Sequence, residues 1–397
     1  MIKKINDLPV KGKRVLVRVD FNVPLTQVGK VRDDTRIRAA LPTIKYIADS
    51  GGRVILMSHL GRPKGNRTAE FSLRPCADRL SDLLGKSVGF VDDCIGEKPK
   101  QAIAQMKDGD VVLLENLRFH PEEEKPTEEF VQQLADLGDL YVNDAFGTAH
   151  RAHASTTLIA RHFPDKCAAG MLLMQEIDAL GKHLLDPTPP FVAIIGGAKV
   201  SSKLGILSAL LNKVDSLLIG GAMAFTFMLA VGMRVGNSLV EEEMVDDARE
   251  ILQQAKSAGK RILFPCDFVI ASEVKEGANY ATIEIESGIP GEMIGVDIGP
   301  KTLAEWQPVI SRAKTIFWNG PMGVFEIPAF ASGTRGVAEM VAGCRSAFSV
   351  IGGGDSIAAV EQTGVQSAIS HISTGGGASL EFIEHGTLPG IQALEEK

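Results

Sequence analysis

The sequence is short of the residues that several classes of protein require. Its five cysteines stand far apart among 397 residues with no C-x-x-C pair, which excludes a disulfide framework and a cysteine-ligated metal site. Lys and Arg total 42 against 49 Asp and Glu, a net charge of −7. This balance argues against a general nucleic-acid-binding surface, so we expect no nucleic-acid partner, and any anion site has to be local.

Export and membrane signals are lacking as well. The N-terminus, MIKKINDLPVKGKRV, has no apolar core and no small-residue cleavage site of a signal peptide, so we expect a cytoplasmic protein. Segment 216–233 runs 18 residues without a charge, just the length at which a membrane helix is considered. Its glycines and its strand-like start, SLLI, instead predict a buried strand followed by a buried helix, and no membrane partner is expected.

Short apolar runs alternate with helical periods along nearly the whole chain, which is typical of parallel α/β layers. Two sets of runs are separated by a leucine-rich helical stretch that prolines stop at 187, 189 and 190. The predicted fold is α/β, with two Rossmann-like lobes, each a parallel sheet flanked by helices, joined by a linker helix. We place the lobes at 1–170 and 187–377 and the helix at 171–186. Segment 281–300 alternates like an antiparallel strand pair on the second lobe.

Ligands of open parallel sheets bind beyond the carboxyl ends of the strands. In the first half every such end leads to an arginine, and an arginine fork suits phosphate or carboxylate. Several of them converging would specify a small, multiply anionic ligand. The residues concerned are Asp20, Asn22, Arg36, His59, Leu60, Gly61, Arg62, Arg118 and Arg151.

In the second half the strand ends carry glycine instead, part of a total of 41 glycines. Glycine lets backbone amides at helix N-termini approach a phosphate, which predicts a nucleotide site. Lys199 and Lys203 are four residues apart and are predicted to share a helix face. Glu326 suits a ribose hydroxyl, and Asp355 suits Mg²⁺ or its water shell.

Other phosphate and cofactor motifs are absent. Gly85-Lys86-Ser87 ends like a P-loop, but Leu80 stands where the first glycine is required, and no G-x-G-x-x-G follows a strand. The motif set of protein kinases is missing too. Two alternatives stay open at this point: a two-lobed binding protein without chemistry, and a dinucleotide oxidoreductase, which the missing fingerprint disfavours.

The sequence resembles the phosphoglycerate kinase family over essentially its whole length. The motifs that carry the resemblance are RVDFNVP (18–24), SHLGRP (58–63), ENLRFH (115–120), NDAFGTAHRAHAS (143–155), GGAKVSSKL (196–204), FWNGPMGVFE (317–326), GGGDS (352–356) and STGGGASLE (373–381). The resemblance implies transfer of a phosphoryl group between 1,3-bisphosphoglycerate and ADP, giving 3-phosphoglycerate and MgATP, in glycolysis. It also implies a monomer, Mg²⁺ bound with the nucleotide, and a C-terminal segment 378–397 that packs back on the first lobe.

Matching positions carry the roles of the family over to this chain. The phosphoglycerate site is expected at Asp20, Phe21, Asn22, Arg36, His59, Leu60, Gly61, Arg62, Arg118 and Arg151. The nucleotide site is expected at Lys199, Lys203, Gly221, Glu326, Gly353, Gly354, Asp355 and Ser356, with the metal at Asp355. The transferring phosphoryl group is assigned to Arg36, Lys199 and the backbone amides of 375–377, represented by Gly376.

Overall fold

The structure is a computed structural model that describes residues 2–395. The chain divides into two compact units, Met1–Ile177 with Thr387–Lys397, and Asp178–Gly386. Each unit contains a six-stranded sheet in which every neighbouring pair of strands is parallel. The predicted α/β fold class is therefore confirmed.

The first unit is built on six strands with helices between them. The strands are β1 (Arg14–Val19), β2 (Arg53–Met57), β3 (Gly89–Val91), β4 (Val111–Leu114), β5 (Leu140–Asp144) and β6 (Cys167–Ala169). The helices are α1 (Thr35–Asp49), α2 (Arg74–Leu84), α3 (Glu97–Ala104), α4 (Glu128–Ala135) and α5 (Met171–Leu180). The sheet order is β3-β4-β2-β1-β5-β6, so β1 and β2 are central and buried along almost their whole length.

The second unit repeats the arrangement and adds a smaller sheet. The strands are β7 (Phe191–Ile195), β8 (Ser216–Ile219), β9 (Arg261–Leu263), β10 (Asp267–Ala271), β11 (Tyr280–Glu284), β12 (Ile294–Ile298), β13 (Thr315–Asn319), β14 (Phe348–Gly352) and β15 (His371–Ser373). The helices are α6 (Leu204–Leu211), α7 (Met223–Ala230), α8 (Val245–Ser257), α9 (Pro300–Ser311), α10 (Ser332–Gly343), α11 (Gly354–Thr363) and α12 (Gly377–His385). The large sheet runs β15-β14-β13-β7-β8-β9.

The smaller sheet corrects one expectation. Segment 281–300 does form two antiparallel strands, but β11 and β12 do not pair with each other: both pair with β10, in the order β11-β10-β12. The run from 261 to 269, which reads as one strand, is divided between β9 in the large sheet and β10 in the small one. Sequence alternation identifies strands, but it does not specify their partners.

Segment 216–233 folds as the sequence predicts, since β8 is followed by the buried helix α7. No helix within residues 2–395 is both long enough and apolar enough to cross a membrane. All five cysteines are free, in line with their spacing.

The predicted linker helix corresponds to α5 and a π-helical continuation, Gly181–Leu185. Asp144, the last residue of β5, caps the start of α5: its Oδ1 accepts hydrogen bonds from the amides of Leu172 at 2.9 Å and Leu173 at 3.2 Å. The boundary between the two units falls inside α5, after Ile177.

The end of the chain returns to the first unit from Thr387, later than the expected position 378. Helix α12 stays with the second unit, where the Glu384 carboxylate lies so close to Gly205 on α6 that a side chain there would meet it. The short helix α13 (Pro389–Gln392) belongs to the first unit, because the Gly390 amide donates to the Ala149 carbonyl at 2.8 Å.

Candidate functional site

The expected residues of the first unit follow four neighbouring strands, β4, β2, β1 and β5, at one edge of the sheet. Directly after β1, Asp20 accepts a hydrogen bond on Oδ2 from Nη1 of Arg36 at 2.9 Å. The same Nη1 reaches the Asn22 carbonyl at 3.2 Å, and Asn22 Oδ1 accepts from the Gly61 amide at 2.9 Å. These bonds join the segments that follow β1 and β2 and the first turn of α1.

Arg118 follows β4 and is held rigidly. Asn116 donates from Nδ2 to the Leu60 carbonyl at 2.7 Å and accepts the Arg118 amide on Oδ1 at 3.0 Å. The Arg118 guanidinium donates from Nη1 to the Gly61 carbonyl at 2.7 Å and lies 3.2 Å from Glu124 Oε1 through Nε. Its Nη2 is buried without a hydrogen-bond partner in the described chain, a donor that an anionic ligand can satisfy.

Several charges converge on His59, which is 4% exposed. The pKa of His59 lies well below its usual value because the ring is buried and cationic side chains surround it. The side chains that exert this field are those of Arg18, Arg118, Arg36 and Arg151. His153, after β5, shows the same effect: burial and neighbouring arginines lower its pKa to about 4. Three of the four predicted arginines, Arg36, Arg118 and Arg151, therefore act on His59. Arg62 is not among them, and Arg18, which the sequence did not suggest, is.

Four other expected residues have different surroundings. Arg62 is exposed, whereas Phe21 and Leu60 are buried and contribute through their backbones, the Phe21 amide donating to Ser58 Oγ at 2.8 Å. Arg151 donates from Nε to Nε2 of His150 at 3.1 Å. Of the expected set, Arg62 is therefore the side chain most open to solvent.

The sequence reading missed Arg18, which is 1% exposed and lies inside β1. Its Nε donates to Ser155 Oγ at 2.8 Å, and its Nη2 lies 3.2 Å from Nδ1 of His59. An arginine within an otherwise apolar strand, RVLVRV, is the signal that could have revealed it.

In the second unit a cavity of about 290 Å³ lies beyond the ends of β7, β13 and β14. Its lining residues are Gly196, Gly197, Ala198, Lys199, Ser202, Lys203, Asn319, Gly320, Pro321, Gly353, Gly354, Asp355 and Ser356. Six of the eight expected nucleotide residues are among them: Lys199, Lys203, Gly353, Gly354, Asp355 and Ser356. Gly221 and Glu326 do not line the cavity. Gly221 packs against the lining residues Gly197 and Pro321, and Glu326 is exposed in the loop before α10.

The two lysines do not share a helix face, which corrects the spacing argument. Lys199 is exposed in the loop after β7, and Lys203 is the N-cap of α6, which begins at Leu204. Burial lowers the pKa of Lys203 to about 8, while the Asp355 carboxylate opposes the shift. The ammonium group donates to Oδ1 of the buried Asn319, which in turn donates from Nδ2 to the Gly352 carbonyl at 2.7 Å.

The glycines around this cavity have two different reasons to be glycine. A Cβ on Gly196 would collide with Pro321 and Met322, so this glycine serves the packing of one loop on another. A Cβ on Gly354 would meet nothing within 4 Å, and its backbone does not need glycine's freedom. The open space beside Gly354, in the first turn of α11, is where an anionic ligand can approach the backbone amides.

Gly376 is the N-cap of α12 and has φ of +56°, a left-handed conformation that favours glycine. The three amides expected to act together are not equivalent, because the Gly375 amide donates to Ser373 Oγ at 3.2 Å. Ser356 is buried and accepts the Gly320 amide on Oγ at 2.6 Å, so it fixes the loop after β13.

Asp355 suits Mg²⁺, because it is an exposed carboxylate lining the cavity, and Mg²⁺ usually combines one or two carboxylates with water and phosphate oxygens. Within residues 2–395, one group of three side chains has ligand atoms close enough to share an ion: Asp93, Cys94 and His120. There Asp93 is already bound by His120 at 2.8 Å and by Arg67 at 3.2 Å, and burial raises the pKa of the Cys94 thiol. That arrangement is an ion-paired cluster in which a single carboxylate, Asp93, offers the oxygen ligands that Mg²⁺ prefers.

An arginine-lined site on one parallel sheet and a glycine-lined site on another define an α/β enzyme class that handles phosphorylated, anionic ligands. Comparison with known proteins narrows the class. The family model described as phosphoglycerate kinase matches residues 5–386. The phosphoglycerate kinase of Dictyoglomus turgidum is 55% identical over 396 residues, covering 100% of this chain and 99% of its own. That of Moorella thermoacetica is 55% identical over 393 residues, covering 99% of each.

Solved structures agree with the sequence comparisons. The phosphoglycerate kinase structure from Coxiella burnetii superposes with a TM-score of 0.90 at 40% identity and covers 99% of both chains. That from Pyrococcus horikoshii OT3 gives a TM-score of 0.86 at 36% identity, covering 99% of this chain and 98% of its own. The chain belongs to the phosphoglycerate kinase family.

Proposed function

We propose that the chain catalyses the reaction of its family, reversible phosphoryl transfer between 1,3-bisphosphoglycerate and ADP, giving 3-phosphoglycerate and MgATP in glycolysis and gluconeogenesis. It is a phosphotransferase with a carboxyl group as acceptor. The observation of this structure that best supports the proposal is the convergence of four arginines on His59 at one sheet edge. Such a site suits a small ligand with a phosphate and a carboxylate.

No general base is required for this reaction. In the ATP-consuming direction the acceptor is a carboxylate, which is already ionised at pH 7. What the reaction requires is in-line positioning and positive charge around the equatorial oxygens of the transferring group. Arginine, lysine and backbone amides supply these without exchanging protons.

Phosphoglycerate binding is assigned to the first unit. Arg118, with its unpartnered Nη2, and the exposed Arg62 supply cationic donors, and Asp20 and Asn22 hold Arg36 and Gly61 in position. Phe21, Leu60 and Arg151 belong to the same site. The buried donors are pre-ordered, which reduces the entropy that binding has to overcome.

Nucleotide binding is assigned to the second unit. Lys199, Lys203, Gly353, Gly354 and Ser356 surround the cavity that we assign to the phosphates. Gly221 and Glu326 are proposed to complete this site at its periphery. Asp355 would hold Mg²⁺ together with the nucleotide; the ion when bound neutralises charge on the phosphate oxygens.

Arg36, Lys199 and Gly376 are proposed to stabilise the transferring phosphoryl group. Because Arg36 and Lys199 belong to different units, we propose that the two units close when both substrates are bound, which also excludes water. Small-angle scattering with neither, one or both substrates tests this: the radius of gyration should fall only in the ternary complex. Unchanged dimensions would contradict closure.

The activity itself is tested by a coupled assay that follows ATP consumption dependent on 3-phosphoglycerate. Turnover should require both substrates and stop when Mg²⁺ is chelated, then return when it is restored. A protein that binds both ligands without turnover would instead be a binding protein. We also propose a cytoplasmic monomer, which cell fractionation and sedimentation would test.

A further inference from the structure

Arg18 and Glu123 are two oppositely charged side chains buried in the first unit, at 1% and 0% exposure. Buried charges are costly unless they are paired and hydrogen-bonded, so their arrangement needs an explanation. Ser155, which is also buried, connects them. Its hydroxyl accepts from Arg18 Nε at 2.8 Å and lies 2.6 Å from Glu123 Oε1, to which it donates.

This connection has a fixed direction. A guanidinium can only donate, so the Ser155 hydroxyl oxygen accepts from Arg18 and its hydrogen is left for Glu123 Oε1. Burial raises the pKa of the Glu123 carboxyl, and the hydrogen bonds from Ser155 oppose that shift. The Ser155 amide reinforces it by donating to the second carboxylate oxygen, Oε2, at 3.1 Å. Arg18 is further fixed by a hydrogen bond from Nη1 to the carbonyl of Val19. Hydrogen bonds from Nε and Nη1 therefore fix the position of the guanidinium.

The remaining end of the guanidinium faces His59, with Nη2 at 3.2 Å from Nδ1. Because Nη2 cannot accept, Nδ1 must be the acceptor and carry no hydrogen. The neutral ring then carries its hydrogen on Nε2, which makes no hydrogen bond in the described part of the chain. The side chain keeps 5% of its surface exposed.

One neighbour could favour the opposite tautomer. Asp20 Oδ1 lies 3.9 Å from Nδ1, beyond hydrogen-bond distance. Its carboxylate is engaged elsewhere, by the Asn22 amide at 3.2 Å and by Arg36 at 2.9 Å. The charged groups that face the ring are Asp20, Arg18, Arg36, Arg118 and Arg151.

We infer that Arg18 is a positioning residue: held by Ser155 and Glu123, it keeps His59 in the tautomer whose Nε2–H is offered to an anionic group of the substrate. The inference rests on the proposed function, which places His59 in the phosphoglycerate site. A histidine that could not be fixed in this way would present an acceptor to the anion for part of the time, and repel it.

The first test reads the tautomer directly in the free, full-length protein. Nitrogen-15 NMR of histidine-labelled protein distinguishes a protonated from an unprotonated ring nitrogen, and the spectrum of His59→Gln identifies the signal. We expect His59 to be neutral with hydrogen on Nε2 in the unchanged protein. Hydrogen on Nδ1 would overturn the inference, whatever the protein catalyses.

Arg18→Met removes the donor at similar volume, and Arg14→Met on the same strand is the matched control, since Arg14 pairs with Asp139 at 2.7 Å instead. Arg18→Met should release the ring into a tautomer mixture and weaken 3-phosphoglycerate binding about tenfold, with MgADP binding unchanged. Arg14→Met should change neither. The double variant Arg18→Met/Glu123→Gln is made alongside, because the single change leaves Glu123 buried without its cation.

A double-mutant cycle separates positioning from charge. Glutamine at 59 has an amide and no tautomer, so Arg18→Met in the His59→Gln background should cost less than about threefold in 3-phosphoglycerate affinity. An equal loss in both backgrounds would mean that Arg18 acts by its charge alone and would overturn the inference. If His59→Gln itself leaves 3-phosphoglycerate binding unchanged, the placement of His59 in the substrate site fails, although NMR would still report the contact with Arg18.

Discussion

Arg36 Nη1 and Asp20 Oδ2 form a hydrogen-bonded ion pair 2.9 Å long, between the first turn of α1 and the segment after β1. The Arg36 side chain is 36% exposed and that of Asp20 10%, so the pair has a fixed side toward the sheet and an open side toward solvent. An arginine tethered at one nitrogen keeps its others available for a ligand.

Arg36→Ala should lower kcat by about 10² to 10³, because one preorganised donor to the developing charge is lost. The dissociation constant of MgADP should stay nearly constant. Arg38→Ala is the matched control: it lies on the same helix but is 55% exposed and paired with Asp34. Steady-state rates and calorimetry check both, and a variant that lost only nucleotide affinity would refute the assignment.

Lys203 predicts a pH dependence of nucleotide binding. Burial brings its pKa to about 8, so the free protein holds the proton below that pH and loses it above. Anionic phosphates need the protonated form, so binding must take up a proton at high pH and MgADP affinity should fall between pH 8 and 9 by up to about tenfold.

Calorimetry at several pH values in buffers of different ionisation enthalpy measures this proton uptake. Lys203→Met should bind more weakly and lose the slope. Lys199→Met, a change in the exposed neighbouring lysine, should weaken binding yet keep the slope. An unaltered slope in Lys203→Met would show that another group titrates.

Two glycine substitutions should affect different properties, one the stability of the fold and the other MgADP binding. Gly196→Ala forces a Cβ against Pro321 and Met322 and should lower the free energy of unfolding by about 1–3 kcal/mol. Gly354→Ala meets nothing within 4 Å and should change it by less than about 1 kcal/mol, yet weaken MgADP binding about tenfold by blocking the amides of α11. Denaturant titration with binding measurements separates the two, and equal stability loss would contradict this division.

Asp144 should make stability depend on pH. Burial raises its pKa from 3.8 to about 6, which means that folding favours the protonated form. Its contribution is therefore most favourable below pH 4 and is lost as pH rises through 6.

Asp144→Asn keeps the Oδ1 acceptor for α5 and removes the charge. The free energy of unfolding of the variant, relative to that of the unchanged protein, should rise by up to about 3 kcal/mol from pH 4 to pH 7.5. Urea unfolding at several pH values measures this difference. Asp49→Asn, an exposed change at the end of α1, is the control and should show no such trend. If the difference in unfolding free energy between Asp144→Asn and the unchanged protein did not vary with pH, burial would not disfavour the ionised Asp144 side chain.

The alternation of runs was sufficient to predict both parallel sheets, because strands covered by helices on two faces are apolar throughout. Strands β3, β6 and β15 could not be predicted in this way, because each has three residues and too few positions to show a period. The run 261–269 shows a second limit of sequence patterns. It contains two strands, β9 and β10, and the sheet that each one joins depends on partners far away in the sequence.

The site was predictable where a side chain follows a strand. Arg36, His59 and Arg118 meet because adjacent parallel strands end at one edge. Arg18 was not predicted because it lies within a strand. Asn319 accepts a hydrogen bond from the Lys203 ammonium group, but it is the last residue of β13 and the glycine that follows it is the more obvious signal. Lys203 itself was misplaced, since spacing of four implies a shared face only once a helix has begun.

The isolated bridge between Ile2 and Glu395 joins opposite ends of the sequence within the first unit. The ribosome synthesises Asp178–Gly386, the whole of the second unit, before it reaches Thr387. The first unit therefore lacks its last segment at a time when the second unit is complete in sequence. Until then the Ala149 carbonyl lacks the Gly390 amide. The second unit can therefore complete its folding before the first, although translation begins with the first.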